Sequence, residues 1–233
     1  MRISRSRALG LVTGIAALTI ATSACGDDDT SDSTTTVITV AGDTFRGELI
    51  GTFSIDGALC SDGLFIGSIV RFVLPGDSAA TGPYVDNPDS PCTDQSYTAL
   101  VPGTEGGLRT NTFQEAPDPA FDAAGNGVAS AIIAPVSVAG VGFAAATDPD
   151  LALPMITSTE GVLSGDLSAL TAYYDGTSFP LGAPRPDGSG AGVAGLIHLI
   201  TGRFVLEWTS EVEGGPFDGY TGIWHLEGTF VPS

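Results

Sequence analysis

Three side chains near the C-terminus, Glu207, His225 and Glu227, have the types and spacing for acid–base chemistry. His225 and Glu227 are two apart in an alternating run, so on a β-strand they share one face. Glu207 has the matching parity in the preceding run and joins them if the two runs pair. A carboxylate pair with an imidazole can hold and move protons, and two carboxyls about 5 to 9 Å apart are what glycoside hydrolysis requires. The same trio also suits the solvated outer face of a hairpin, where polar side chains are needed in any case. The three stand as ligand-site candidates, with no residue assigned a catalytic role.

Other chemistry is sparse. His198, the second of two histidines, lies among Leu196, Ile197, Leu199 and Ile200 and reads as a core imidazole. Asp118, Asp122 and Asn126 make one set of oxygen ligands for calcium, and Asp148 and Asp150 another, although loop aspartates ordinarily cap turns through backbone amides. Gly190 to Gly195 matches GxGxxG, but a proline-rich segment precedes it and a strand-like run follows. A pyrophosphate needs a helix N-terminus there. The sequence has no GxSxG, HExxH or Walker motif and implies no cofactor and no metal centre. Trp208, Trp224, Phe217 and Tyr220 could stack on sugar, yet both tryptophans fall at core-facing positions of their runs.

Charge excludes further classes. The 233 residues carry 8 arginines, no lysine and 27 acidic side chains, for a formal charge of −19. Such a chain neither neutralises phosphates of nucleic acid nor docks on anionic headgroups by charge. With 42% hydrophobic and 15% charged residues, it is too apolar to stay disordered, so a packed core is expected.

The N-terminus supplies an address. Arg2, Arg5 and Arg7 form a basic start, Ala8 to Thr22 is uncharged, and Ser23-Ala24-Cys25 closes with small residues. That is the layout of a secretory signal peptide. Its apolar run, about 15 residues, falls short of the roughly 20 that span a bilayer. Thr22-Ser23-Ala24-Cys25, followed by Gly26, resembles the lipobox of bacterial lipoproteins (Leu-Ala/Ser-Gly/Ala-Cys), departing from it at Thr22. The resemblance implies cleavage before Cys25 and acylation of its thiol. Two or three acyl chains, at about 0.8 kcal/mol per buried CH₂, anchor far more durably than one. The expected organisation is a signal peptide at 1–24, an acidic Thr/Ser-rich tether at 25–40 and one domain at 41–233. With the leader gone, five arginines face 27 acids, and Asp27, Asp28 and Asp29 repel one another to extend the tether. The membrane, reached through Cys25, is the expected partner, on the exterior or periplasmic side of a bacterial membrane.

Once Cys25 is assigned to lipid, Cys60 and Cys92 remain. On the exported side they can form a disulfide, whose loop of about 33 residues is worth roughly 3 to 4 kcal/mol in the chain-entropy model. Two free buried thiols or a metal pair are the alternatives; no CxxC spacing is present.

The elements that must position these groups are strands. Glycine (32) and proline (15) punctuate short runs rich in Val, Ile, Phe and Thr. Phe45 to Asp56 alternates, with Phe45, Leu49, Phe53 and Ile55 on one face. Leu64 to Leu74 predicts a strand ended by Pro75-Gly76-Asp77. Further runs are Ser96 to Val101, Leu108 to Gln114, Leu167 to Tyr174 and Leu196 to Ile200. The uncharged stretch Val128 to Thr147 predicts two buried strands turning near Gly140, since Pro135, Gly140 and Gly142 interrupt any helix. The clearest unit is a C-terminal hairpin: Phe204, Leu206 and Trp208 face a core shared with Trp224, Leu226 and Phe230, and Gly228 leaves room for a neighbouring ring. No apolar run keeps a 3.6 period for three turns. The expected fold is all-β, a single β-sandwich or closed β-barrel of about 9–12 mostly antiparallel strands.

Gly165 to Pro186 and Gly202 to Phe230 resemble a stretch of uncharacterised exported bacterial all-β proteins, a resemblance that implies no activity. The leading expectation is a non-enzymatic, lipid-anchored β-domain with a binding or structural role in the envelope, its protein or glycan partner unidentified. One alternative is a lipocalin-like carrier whose Val128–Phe143 and Leu196–Ile200 runs line a cavity. The other is a hydrolase of envelope polysaccharide working through Glu207, His225 and Glu227. Cys25→Ser is expected to move the native protein from the detergent to the aqueous phase of a cloud-point partition. Its intact mass should fall by the lipid.

Overall fold

Strict alternation builds the longest pairing in the molecule, between the two C-terminal runs. The computed structural model describes residues 44–61, 64–214 and 217–233, which form seventeen strands and almost no helix. The first eight are β1 (Gly47–Glu48), β2 (Gly51–Ile55), β3 (Leu59–Ser61), β4 (Leu64–Ile66), β5 (Ile69–Ser78), β6 (Gly82–Tyr84), β7 (Thr98–Ala99) and β8 (Gly107–Arg109). Then come β9 (Val136–Val138), β10 (Val141–Thr147), β11 (Met155–Thr159), β12 (Val162–Asp166) and β13 (Leu170–Tyr174). Last are β14 (Thr177–Pro180), β15 (Val193–Ile197), β16 (Arg203–Glu211) and β17 (Thr221–Pro232). Cys25, the signal peptide and the tether lie outside the described residues.

Eleven strands share one sheet, with β1-β11-β12-β15-β16-β17-β2-β8 as its path. β17 pairs with β16 along nine residue pairs, Arg203↔Thr229 to Glu211↔Thr221. Its other edge forks: Thr221 to His225 pair with β5, and Gly228 to Pro232 pair with β2. β6 and β7 hang from β5. A second sheet of four strands runs β14-β13-β10-β9, and β3 and β4 form a separate hairpin.

The large sheet curls over the small one as a half-barrel. A single buried cluster joins Phe53, Leu163, Leu206 and Leu226 of the first to Phe143 and Ala172 of the second. Trp208 and Trp224 stack there with centroids 5.6 Å apart, and their indoles donate to Leu181 O (3.0 Å) and Ser210 Oγ (3.0 Å). Burial of each ring is thus matched by a hydrogen bond to its one polar atom. Phe217 and Tyr220, half-buried, pack against the same cluster, Phe217 stacked on Phe72.

All-β class and antiparallel pairing agree with the sequence; the closure does not. β1 and β8 are open ends of the sheet path, and the seventeen strands among the described residues exceed the expected nine to twelve because long runs break. The run from Leu64 to Leu74 divides at Gly67-Ser68, and its second part continues past Pro75-Gly76-Asp77 because β6 pairs with it on either side, Val73↔Tyr84 and Ser78↔Gly82, across an irregular register. The strand expected at Leu196–Ile200 begins at Val193 and stops at Ile197. His198 is therefore exposed in the following turn, its Nδ1 accepting from Thr201 N–H at 3.2 Å, rather than in the core. Leu196 and Ile200 are each 63% exposed and line no interior. Val128–Thr147 does contain two strands, β9 and β10, turning at Ala139-Gly140. No helix among the described residues is long and apolar enough to cross a membrane.

Gly228 makes room for backbone, not for a ring. A Cβ at that position would strike the carbonyl oxygen of Ser54 on β2. Gly228→Ala is therefore expected to cost about 3 kcal/mol or more, in the range of backbone-clash substitutions. A lower urea midpoint with an unchanged m-value would show it.

Candidate functional site

The alternation that turns Trp208 and Trp224 inward turns Glu207, Thr209, Ile223 and His225 outward. Register then decides what meets on that outer face. Glu207 lies opposite His225, and His225 opposite Ile69; one step along, Thr209 lies opposite Ile223, and Ile223 opposite Arg71. These six side chains floor a groove of about 590 Å³. Phe65 and Tyr97 wall one side, the segment around Ala191 and Gly192 the other, and Ala79 and Ala80 form a rim.

His225 Nδ1 is 2.9 Å from Glu207 Oε1, and its Nε2 is 3.7 Å from Glu227 Oε2. The three expected site residues are thus adjacent, but they do not act alike. Glu207 is 65% exposed and lies in the groove. Glu227 is 23% exposed and borders a neighbouring hollow of about 460 Å³ with Arg203, His198 and Leu196. Its Oε1 accepts the Gly67 N–H at 2.8 Å, and its backbone exchanges hydrogen bonds with the fully buried Ser68 hydroxyl. Glu227 therefore fastens the bend between β4 and β5. Among the described residues that line the groove Glu207 is the one carboxylate, whereas glycoside hydrolysis uses two in one site. Nor can one imidazole turn both nitrogens, which face opposite carboxylates, onto a single ion. Among the described residues no group of three or more His, Cys, Asp or Glu is placed to hold a metal.

Arg71 was not foreseen as a site residue. Its guanidinium carbon lies 3.2 Å from the Tyr84 ring centroid and 4.2 Å from that of Tyr97, and Tyr97 stacks on Phe65 at 5.1 Å. Nη2 donates to Ser96 Oγ at 2.8 Å. Hydrogen bonds from the Ser96 hydroxyl and then from its amide hold the Asp94 carboxyl below its ordinary pKa, with a smaller contribution from Arg71. No local pattern marks this constellation, since it is assembled from β5, β6 and the segment entering β7.

The disulfide joins Cys60 to Cys92. Cys60 pairs with Phe65 across the β3–β4 hairpin, so the cross-link ties the hairpin bearing Phe65 to the loop leading to Tyr97. Asp89 steadies that loop from the other side. Its carboxylate accepts from Gly140 N–H and from the Ser137 hydroxyl, and these two bonds, the first the larger, lower its pKa.

The remaining candidates resolve into local structure. Asp122 Oδ1 accepts from Ala124 N–H and Asn126 N–H (2.8 and 2.9 Å), and Oδ2 accepts from the Asn126 amide, so its lone pairs cap a turn. Asp148 accepts from Asp150 N–H in the same manner. Gly190 to Gly195 leads directly into β15 with no helix opening after it. An apolar hollow between the two sheets, lined by Leu100, Ile132 and Leu226 among others, measures about 20 Å³. That is room for about one water, far less than a lipocalin-like ligand occupies.

No protein-family model, no curated protein and no solved structure matches the chain. The groove is therefore interpreted from its own chemistry.

Two outcomes are expected. Because the folded pKa of Asp94 is depressed, its contribution to stability is present above the unfolded carboxylate pKa and is lost as pH falls through the folded value. Asp94→Asn should flatten the fall in Tm between about pH 6 and pH 2.5 relative to the parent protein. The Cys60→Ser/Cys92→Ser pair should lose roughly 3 to 4 kcal/mol. Amide exchange should then accelerate in 59–61, 64–66 and 92–97 well before it does in β16 and β17.

Proposed function

We propose that the chain is an exported, lipid-anchored β-domain that binds a small ligand in the groove on the outer face of its large sheet, without chemical conversion. The observation that carries the reading is the groove itself. It is concave, about 590 Å³, and lined by apolar and aromatic side chains with a few polar groups, Arg71, Glu207, Thr209 and His225. That is the composition by which binding sites differ from ordinary surface. Its wall is covalently tied by the Cys60–Cys92 cross-link, which suits a site that must be rigid before its ligand arrives. Such a cross-link persists in an oxidising compartment, consistent with the export signalled by the residues around Cys25. Anchoring through Cys25 would hold the groove at the envelope, where the partner would be an envelope component or its breakdown product. The single carboxylate among the described residues lining the groove favours binding over glycan hydrolysis, and the small size of the hollow between the sheets favours this face over a lipocalin-like cavity.

The test is to add soluble envelope-derived glycan and peptide fractions to the isotope-labelled protein and follow its amide resonances. Expected is a set of shifts confined to Glu207, Thr209, Ile223, His225 and Arg71, with the glycan chain length unchanged. No response on this face would overturn the reading. Chain shortening that disappears in Glu207→Gln would replace it with an enzyme.

A further inference from the structure

We infer that the groove takes a dipolar ligand, a short peptide with a free carboxylate and a free ammonium, the carboxylate on Arg71 and the ammonium on Glu207. This rests on the binding role proposed above and specifies its ligand. Three observations lead to it.

The first is the state of Arg71. Arg109, Arg185 and Arg203 each face a carboxylate within 3.5 Å. Among the described residues no carboxylate comes within ion-pair distance of Arg71, and its buried Nε–H has no acceptor. The tyrosine rings attract this cation but do not neutralise it. A guanidinium with no carboxylate in direct contact, Asp94 lying beyond the Ser96 hydroxyl, and held between rings that restrain its orientation, can receive a carboxylate at the donor end left open beside the buried Nε and the Ser96-bound Nη2.

The second is Glu207, across the floor. One of its oxygens is held by His225 Nδ1, yet the side chain stays 65% exposed, so acceptor capacity remains for an ammonium. Arg71 and Glu207 are separated by two strand spacings and two residues of rise, about 12 Å between Cα atoms. An extended peptide of three to four residues spans roughly 10 to 14 Å. By register His225 and Ile223 lie between the two charges, with Ile69 beside them and Phe65 on the wall, so a central side chain meets an imidazole ring and apolar groups.

The third is the field of the whole protein. A chain with 27 acidic and 8 basic side chains repels a net anion approaching Arg71, and the nearby Glu207 adds to the repulsion. A zwitterion meets no net repulsion and places each end against its opposite charge.

Calorimetry on the full chain with Ala-Phe-Ala, its N-acetyl and C-amide forms, and cellotriose tests the assignment. The free peptide is expected to bind, and each blocked form at least tenfold more weakly. Glu207→Gln, at an exposed site where folding is not at stake, should abolish the penalty for acetylation and keep the penalty for amidation. Arg71→Gln should do the reverse. Equal binding of free and blocked peptides overturns the inference, as does an unaltered acetylation penalty in Glu207→Gln. Cellotriose binding without peptide binding overturns the dipolar ligand and leaves the groove's binding role standing. Silence from all four probes also overturns the inference, and the amide-shift experiment then decides separately whether the groove binds anything.

Discussion

The nine-pair ladder between β16 and β17 sets both faces of this protein at once. Side chains alternate across a strand with a period of two, so a slip of one residue would exchange the stacked tryptophans for Glu207 and His225. The register is held from inside, where Phe204, Leu206, Trp208, Trp224, Leu226 and Phe230 are all buried. At about 1.5 to 3 kcal/mol for each large apolar side chain removed from water, the correct face is favoured by far more than the polar contacts outside contribute. The groove is thus the reverse side of the core. Its floor is positioned by packing energy it does not itself supply.

How much of this the sequence discloses depends on whether the signal is local. The C-terminal hairpin is legible because its alternation is strict over both strands and its outer residues are polar. Phe45, Leu49, Phe53 and Ile55 are legible for the same reason and are all buried. The hairpins β11–β12 and β13–β14 are harder to see: their strands are five residues or fewer, and their faces mix Thr, Ser, Val and Ala. Turns do mark both, since Glu160-Gly161 (53° and 85°) and Asp175-Gly176 (50° and 71°) take positive φ at both residues, the geometry of a two-residue hairpin loop. Read as markers, these glycines reveal the hairpins between Met155 and Asp166 and between Leu170 and Pro180. His198 misleads because Leu196, Leu199 and Ile200 look like core companions, whereas two of the three point to solvent once the strand stops at Ile197.

The candidate site was half legible. Parity alone puts His225 and Glu227 on one face, and hairpin pairing brings Glu207 beside them. What no local pattern contains is the third strand. Arg71 enters the groove only because β17 forks and receives β5 along its first five residues, a pairing between segments about 150 residues apart. The same long-range step separates the roles of the two glutamates, giving Glu227 to the Gly67-Ser68 bend and leaving Glu207 free. Cys60 and Cys92 are the exception among distant contacts, since the lipobox resemblance sets Cys25 aside and the two cysteines that remain admit a single pairing.

Beyond the fork, β5 leaves the main sheet and continues with β6 as a two-stranded ribbon, whose tip at Ala79 and Ala80 overhangs the groove. Tyr84 braces that tip by donating from its hydroxyl to the carbonyl of Ala80 at 3.0 Å. The ribbon meets the rest of the molecule at its base, where Tyr84 stacks on Arg71 and Val85 packs against the core. Lengthening or shortening it by a pair of residues would deepen or flatten the trough without disturbing the tryptophan stack. The height of the groove's rim is therefore written in a different stretch of the chain from the tryptophan stack, while its charged floor shares β16, β17 and β5 with the core.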